Sequence, residues 1–256
     1  MSAKPGPITE DAALGGRLTL RQPKAGHRFG HDAILLAAAT GGRAGEHAVD
    51  LGAGVGAAGL AVASRVEGLT VTLLEIDEAL TELGRENAAL NGLSERVRSV
   101  CLDVMASADA FAAAGLHPGS ADRVLMNPPF NPPTNPSPDY GRRVAYFAAP
   151  DMLGRWMGTA VGLLRAHGVL TLIWRADALD EVLAALDAAA FGSATLLSVH
   201  PKPGAAAIRV LVRAIKASRA PVSLLPGLVL ADIEGKPTSA AEDVLRGGAV
   251  LPLAAE

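Results

Sequence analysis

VDLGAGVGAAG, residues 49–59, carries an apolar strand through a carboxylate into a glycine turn and out into a helix of small residues. Gly52, Gly54, Gly56 and Gly59 stand where glycine lets backbone approach a ligand and leaves helix N–H groups pointing at it. From Gly54 the spacing is G-x-G-x-x-G, and Glu75 and Asp77 follow about 20 residues on, as in a dinucleotide fingerprint. A simple tight turn would give the same spacing. Asp50 argues against a dinucleotide. It lies just before the first glycine, where a carboxylate is poorly suited to a pyrophosphate and well suited to a cation.

Outward from this turn the chain alternates. LTVTLLEID (69–77) reads as a buried strand and EALTELGRENAALNG (78–92) as an amphipathic helix, with Asp77 as N-cap and Gly92 as its stop. Strands are expected at 97–102, 122–126, 168–174, 194–200 and 207–216, and helices at 105–114, 151–166 and 177–190. Upstream, AILLAAAT (33–40) reads as a short helix and residues 1–16 as a poorly ordered lead-in. A Pro-rich loop covers 128–150, and the Pro- and Gly-punctuated tail 218–256 resists assignment. Alternation of this kind predicts an α/β fold, a mostly parallel sheet with helices on both faces. No repeat or second domain is visible. The expected division is a lead-in over 1–26, one domain over 27–217 and a tail over 218–256 packed on that domain.

Half of the 256 residues are hydrophobic but only 4% are aromatic, so Ala, Leu and Val must fill the core. A formal charge of −3 excludes a strongly basic nucleic-acid protein and leaves room for local basic patches. Two stretches lack acids: 12–31, with Arg17, Arg21, Lys24 and Arg28, and 188–231, with Lys202, Arg209, Arg213, Lys216 and Arg219. They point to an RNA partner or to ordinary solvated surface. Cys101, the one cysteine, forms no internal disulfide and no Cys-based zinc site, which fits a reduced, cytoplasmic setting. The histidines show no metal-ligand spacing. No signal peptide is read in MSAKPGPITED, and no apolar run nears the ~20 residues of a membrane span. A monomer without metal is expected.

Three strands end in carboxylates on one edge of the sheet: Asp50, Glu75 and Asp103. Glu75 is placed to accept two ribose hydroxyls, or else serves as an acid near a helix N-terminus. Asp103 can accept an adenine amine, or cap the next helix. Open α/β sheets bind ligands at this edge. Three acids there suit a ligand with hydroxyls and positive charge, and S-adenosylmethionine has both.

LMNPPF (125–130) then ends a strand in two prolines that cannot continue a ladder. The rigid turn holds the Asn127 carboxamide, the Pro128 carbonyl and the Phe130 ring together. Acceptors aimed at the N–H bonds of a planar amine favour charge on nitrogen as it becomes tetrahedral, and a ring can stack on the planar group. A plain strand exit packed by Phe130 is the alternative.

VDLGAGVG, LLEID, CLDV and NPPF, in that order, resemble the cofactor and catalytic motifs of class I S-adenosylmethionine-dependent amino-methyltransferases, and the resemblance covers residues 27–150. It implies a Rossmann-like, seven-stranded sheet with an antiparallel last strand. It also implies cofactor roles for His31, Asp50, Gly52, Gly54, Gly56, Glu75, Ile76, Asp103, Val104 and Asn127, and catalytic roles for Asn127, Pro128 and Phe130. In that family the acceptor is a planar NH2: adenine N6, cytosine N4, guanine N2 or a release-factor glutamine. Only 49 residues precede Asp50, fewer than the helical domain of the glutamine enzymes requires, and the fold is not duplicated. The compact chain is most similar to the bacterial tRNA adenine-N6 methyltransferases of the methyltransferase small domain family, which modify valine tRNA beside the anticodon. FGHDAILLA (29–37) resembles their cofactor-closing segment, and Arg142 and Arg143 are placed to meet an RNA phosphate.

Overall fold

The computed structural model describes residues 7–25, 28–129, 151–246 and 249–255. The chain opens with a hairpin of β1 (Ile8–Ala13) and β2 (Leu18–Pro23), in register from Ile8↔Pro23 to Ala13↔Leu18. A poorly ordered lead-in is expected over residues 1–16, but β1 falls inside it and Ala13 and Leu14 are buried with Leu18 and Leu20, so the hairpin has an apolar face to dock; residues 1–6 lie outside the described residues. Two amides fasten it. Asn87 Oδ1 accepts the Arg21 N–H at 2.7 Å while its Nδ2 donates to the Arg21 carbonyl, and Asn91 holds Thr19 in the same way.

The alternating part follows as α1 (His31–Ala39), β3 (His47–Leu51), α2 (Ala57–Arg65), β4 (Thr70–Glu75), α3 (Glu78–Leu90), β5 (Val97–Cys101), α4 (Ala108–Ala113) and β6 (Ala121–Met126). Beyond the Pro-rich segment come α5 (Met152–Leu163), β7 (Leu164–Arg175), α6 (Leu179–Ala188), β8 (Phe191–His200) and β9 (Arg209–Lys216). The tail supplies β10 (Ser223–Val229) and α7 (Ser239–Leu245). Asp77 caps α3 as expected, accepting the Leu80 N–H at 3.0 Å.

The strands form one sheet in the order β10-β8-β9-β7-β6-β3-β4-β5. All neighbours pair in parallel except β9, which runs antiparallel to β7 and β8. The sheet therefore has eight strands rather than seven: β3 to β9 are the expected set, with β9 its antiparallel last member, and β10 is an addition beyond it. The added strand is β10, whose SLLPGLV hides its character behind Pro226 and Gly227. An edge strand tolerates a proline that a central one would not, and the pairing with β8 shifts register between Leu225 and Leu228. The tail packs on the same body: β10 adds to the sheet and the Leu251 N–H bonds to the Ala38 carbonyl at 2.9 Å.

Each face of the sheet has its own core. One side packs Leu35, Leu36, Leu60, Leu73, Leu125 and Leu211, with α1 and α2 over the sheet. The other packs Leu51, Val124, Met126, Trp156, Met157 and Leu172, with α5 and α6 above. Residues β3 to β5 progress outward on one side of β3, and β6 returns to its other side. The crevice where strand order reverses lies between the C-terminal ends of β3 and β6, which is where such sheets bind ligands.

Candidate cofactor and acceptor site

A cavity of about 310 Å3 opens at that reversal point. Asp50 from β3, Gly52 and Gly54 from the following turn, His31 from the start of α1 and Asn127 from the end of β6 line it together. Asp50 is in register with Leu125, so Asn127 lies two residues beyond that pair on the adjacent strand.

The glycine turn has two distinct faces. A Cβ on Gly52 would stand 2.5 Å from Cη2 of Trp156, so this glycine lets the α5 indole pack against the turn. A Cβ on Gly54 would meet nothing within 4 Å, so its bare backbone faces open space beside the cavity. Gly56 does not line the cavity; it opens α2 and makes room for Leu73.

Glu75 braces this turn from the next strand. Its Oε2 accepts the Gly54 N–H at 2.9 Å and its Oε1 accepts the Asp77 N–H at 3.0 Å. The carboxylate is buried and is not part of the cavity wall. Asp50 is buried as well, with Oδ2 accepting the Gly59 N–H at 2.9 Å. Burial pushes its carboxyl up to about 7, with the Gly59 bond opposing and the charge of Glu75 reinforcing the shift. A cation brought into the cavity would restore the charged form.

Asn127 gives the plainest sign of a ligand. Its Oδ1 is buried and has no hydrogen-bond partner among the described residues, and Pro128 beside it is buried. An unsatisfied buried acceptor costs about 1–3 kcal/mol, which a donor on a bound molecule would recover.

Other expected site residues lie along the same edge but outside the cavity. Asp103 Oδ1 accepts the Met105 N–H at 2.6 Å, a local turn bond. Ile76 is 48% exposed, an apolar side chain left at the ligand edge. Val104 points into the opposite core, and its carbonyl accepts Thr159 Oγ1 at 2.7 Å. Phe130, Arg142 and Arg143 lie outside the described residues. Sequence reading missed Trp156, which backs the glycine turn; Phe29, at the head of the FGHDAILLA segment, lines the cavity and packs on Val55, Leu80 and Leu83.

The acid-free stretches are less basic in space than along the chain. Arg21 pairs with Glu10 and Glu86, Arg28 with Asp11, and Arg209 with Asp32, while Lys216 donates to the Val161 and Leu164 carbonyls. The fold brings acids from outside each stretch. Among the described residues no helix is long and apolar enough to cross a membrane, and no cluster of His, Cys, Asp or Glu could hold a metal.

The model of the methyltransferase small domain matches residues 31–178, which span the cavity, the glycine turn and Asn127. The chain belongs to that family. S-adenosylmethionine is the cofactor of these methyltransferases, and the site fits it: a buried carboxylate for its cationic end, open backbone at Gly54 and an orphaned acceptor beyond.

Among curated proteins, this chain is 29% identical over 170 residues to the tRNA1(Val) (adenine(37)-N6)-methyltransferase of Porphyromonas gingivalis. It is 31% identical over 143 residues to the release factor glutamine methyltransferase of Chlorobaculum tepidum. The matches cover 65% and 52% of this chain and span 66% and 47% of those proteins' lengths. A predicted O-methyltransferase of Agrobacterium tumefaciens superposes with a TM-score of 0.72 at 33% identity, covering 86% of this chain and 98% of that one. A geranyl diphosphate methyltransferase in complex with SAM reaches 0.52 at 14% identity, over 72% of this chain and 84% of its own, a likeness of fold alone.

Proposed function

We propose that this chain methylates a planar amino group from S-adenosylmethionine, and that the acceptor is adenine N6 in transfer RNA, in valine tRNA beside the anticodon. The observation that carries the reading is Asn127: a buried carboxamide oxygen, unpartnered among the described residues, on the wall of the cavity that also holds Asp50 and Gly54. The P. gingivalis relative supports the choice of acceptor.

Bound S-adenosylmethionine supplies an electrophilic methyl group. Asp50, ionised, offsets its positive end; Gly54 presents bare backbone; Glu75 holds the turn and is assigned the ribose hydroxyls. Ile76 and Asp103 contribute the adenine side, His31 completes the cofactor edge, and Gly52 and Gly56 shape the turn. The Asn127 oxygen accepts an N–H of the entering amine, as does the Pro128 carbonyl. Both draw charge onto nitrogen as it turns tetrahedral, so each interaction strengthens toward the transition state. Phe130 stacks on the base, and Arg142 and Arg143 meet an RNA phosphate.

Labelled S-adenosylmethionine, incubated with the protein and valine tRNA, tests the reading. Digested nucleosides should contain N6-methyladenosine. Label on a glutamine of release factor would move the acceptor to protein, as the C. tepidum relative would have it. Label on a hydroxyl, as the A. tumefaciens relative would have it, would overturn the role given to Asn127.

A further inference from the structure

The opposite end of the sheet carries a larger cavity, of about 600 Å3, that shares no lining residue with the cofactor site. It gathers the N-terminal ends of β3, β6 and β7 and the C-terminal end of β9. Arg43, Arg123, Arg165, Arg213 and Arg219 line it, against the carboxylates of Glu46 and Asp122. Both carboxylates are engaged. Glu46 receives Arg123 through two bonds, at 2.6 and 3.3 Å, and Asp122 receives Arg165 and the His47 N–H.

Arg213 is left over. It comes from β9 opposite Thr171 of β7, half-buried, and its guanidinium makes no hydrogen bond or ion pair among the described residues. Burial, and after it the charge of Arg123, lower its guanidinium below the usual range. A half-buried cation held beside a like charge, without a carboxylate of its own, is an unfavourable arrangement in an empty protein. Arg219, exposed at the rim, adds a second guanidinium. Guanidiniums outnumber carboxylates five to two, and while their planar forks match carboxylate and phosphate alike, an excess of several positive charges suits the higher charge of a phosphate.

We propose that this basal cavity is a phosphate-binding site, taking a phosphate of an RNA backbone or of a free phosphorylated small molecule. Its volume falls in the range of small-molecule sites. The site does not depend on the identity of the methyl acceptor.

Calorimetry of the full chain with inorganic pyrophosphate tests it, using wild type, Arg213→Met and Arg219→Ala. Wild type should bind with an affinity that falls as salt rises, and each variant should bind at least tenfold more weakly. S-adenosylmethionine affinity, within twofold in all three, reports that the fold is intact. Arg219 is exposed, so its variant keeps the test valid if Arg213→Met folds poorly. Competition separates the two sources. If pyrophosphate displaces tRNA and the variants lose tRNA affinity, the phosphate belongs to RNA. If pyrophosphate binds without touching tRNA affinity, it stands in for a free phosphorylated molecule. Absence of pyrophosphate binding by wild type, or binding undiminished in both variants, would overturn the proposal.

Discussion

Asp50 on β3 pairs in register with Leu125 on β6, so the buried carboxylate and the Asn127 carboxamide just beyond that pair share one cavity from adjacent strands. Cofactor charge and acceptor chemistry are thus positioned by two adjacent interior strands of the sheet, each paired on both sides, where backbone has little freedom to drift. Each prediction concerns a part of that arrangement.

The Asp50 carboxyl, pushed up to about 7 by burial, should couple cofactor binding to pH. Its protonated form dominates below that value, while the positive end of S-adenosylmethionine favours the ionised form. Affinity should therefore rise about tenfold per pH unit up to about 7 and then level. Titrations at pH 6 in buffers of different ionisation enthalpy should show a proton released on binding. In the unliganded protein the sign is opposite for stability. A carboxyl raised from 3.8 to about 7 stabilises the fold at low pH, and that contribution is lost as pH rises across the interval. Asp50→Asn should abolish both the proton release and this part of the stability profile.

Glu75 holds two backbone N–H groups, so its loss should loosen the turn as well as remove a ribose acceptor. Glu75→Ala should weaken S-adenosylmethionine binding by about 1–3 kcal/mol. Glu75→Gln, which retains one acceptor oxygen, should fall between. Calorimetry giving wild-type affinity for Glu75→Ala would remove this residue from the site.

Gly52 stands against Trp156, with a Cβ there only 2.5 Å from the indole. Its φ of 69° also disfavours any side chain. Gly52→Ala should destabilise the fold by about 1–3 kcal/mol. Adding Trp156→Phe, which withdraws the colliding ring edge, should recover part of that loss in a denaturation cycle. Strict additivity would mean that the two residues do not meet in solution.

Asn87 is fully buried in α3 and bonds Arg21 through both ends of its amide, with a further bond to the Val55 carbonyl at 3.0 Å. Asn87→Ala should cost about 1–3 kcal/mol and expose the N-terminal hairpin. Limited proteolysis should then cut within residues 8–23 well before the rest of the chain.

The parallel core was legible because its strands are unbroken apolar runs punctuated by turn residues and carboxylates. Asp50, Gly54 and Asn127 were legible for the same reason: polar or bare positions that interrupt an apolar pattern. Asn87 was not, because an amide on a helix looks like solvated surface until a distant strand arrives to use it. The tail strand was hidden by Pro226 and Gly227, tolerable only because β10 is an edge. Arg21, Arg28 and Arg209 misled in the other direction. Their neighbours along the chain are neutral or basic, and the acids that satisfy them come from other segments or lie outside the counted windows.

The central claim is that the Asn127 oxygen, unpartnered among the described residues, is completed by the N–H of the acceptor amine as it becomes tetrahedral. Single-turnover transfer of labelled methyl from S-adenosylmethionine to tRNA, comparing wild type with Asn127→Ala, measures this without interference from product release. Removing one well-aimed group of an oxyanion hole slows other enzymes by about 10²–10³, and a fall of that order is expected here. Cofactor affinity should stay within a few-fold of wild type. A variant that transfers methyl at close to the wild-type rate would contradict the account and leave Asn127-Pro128-Pro129 as the end of a strand.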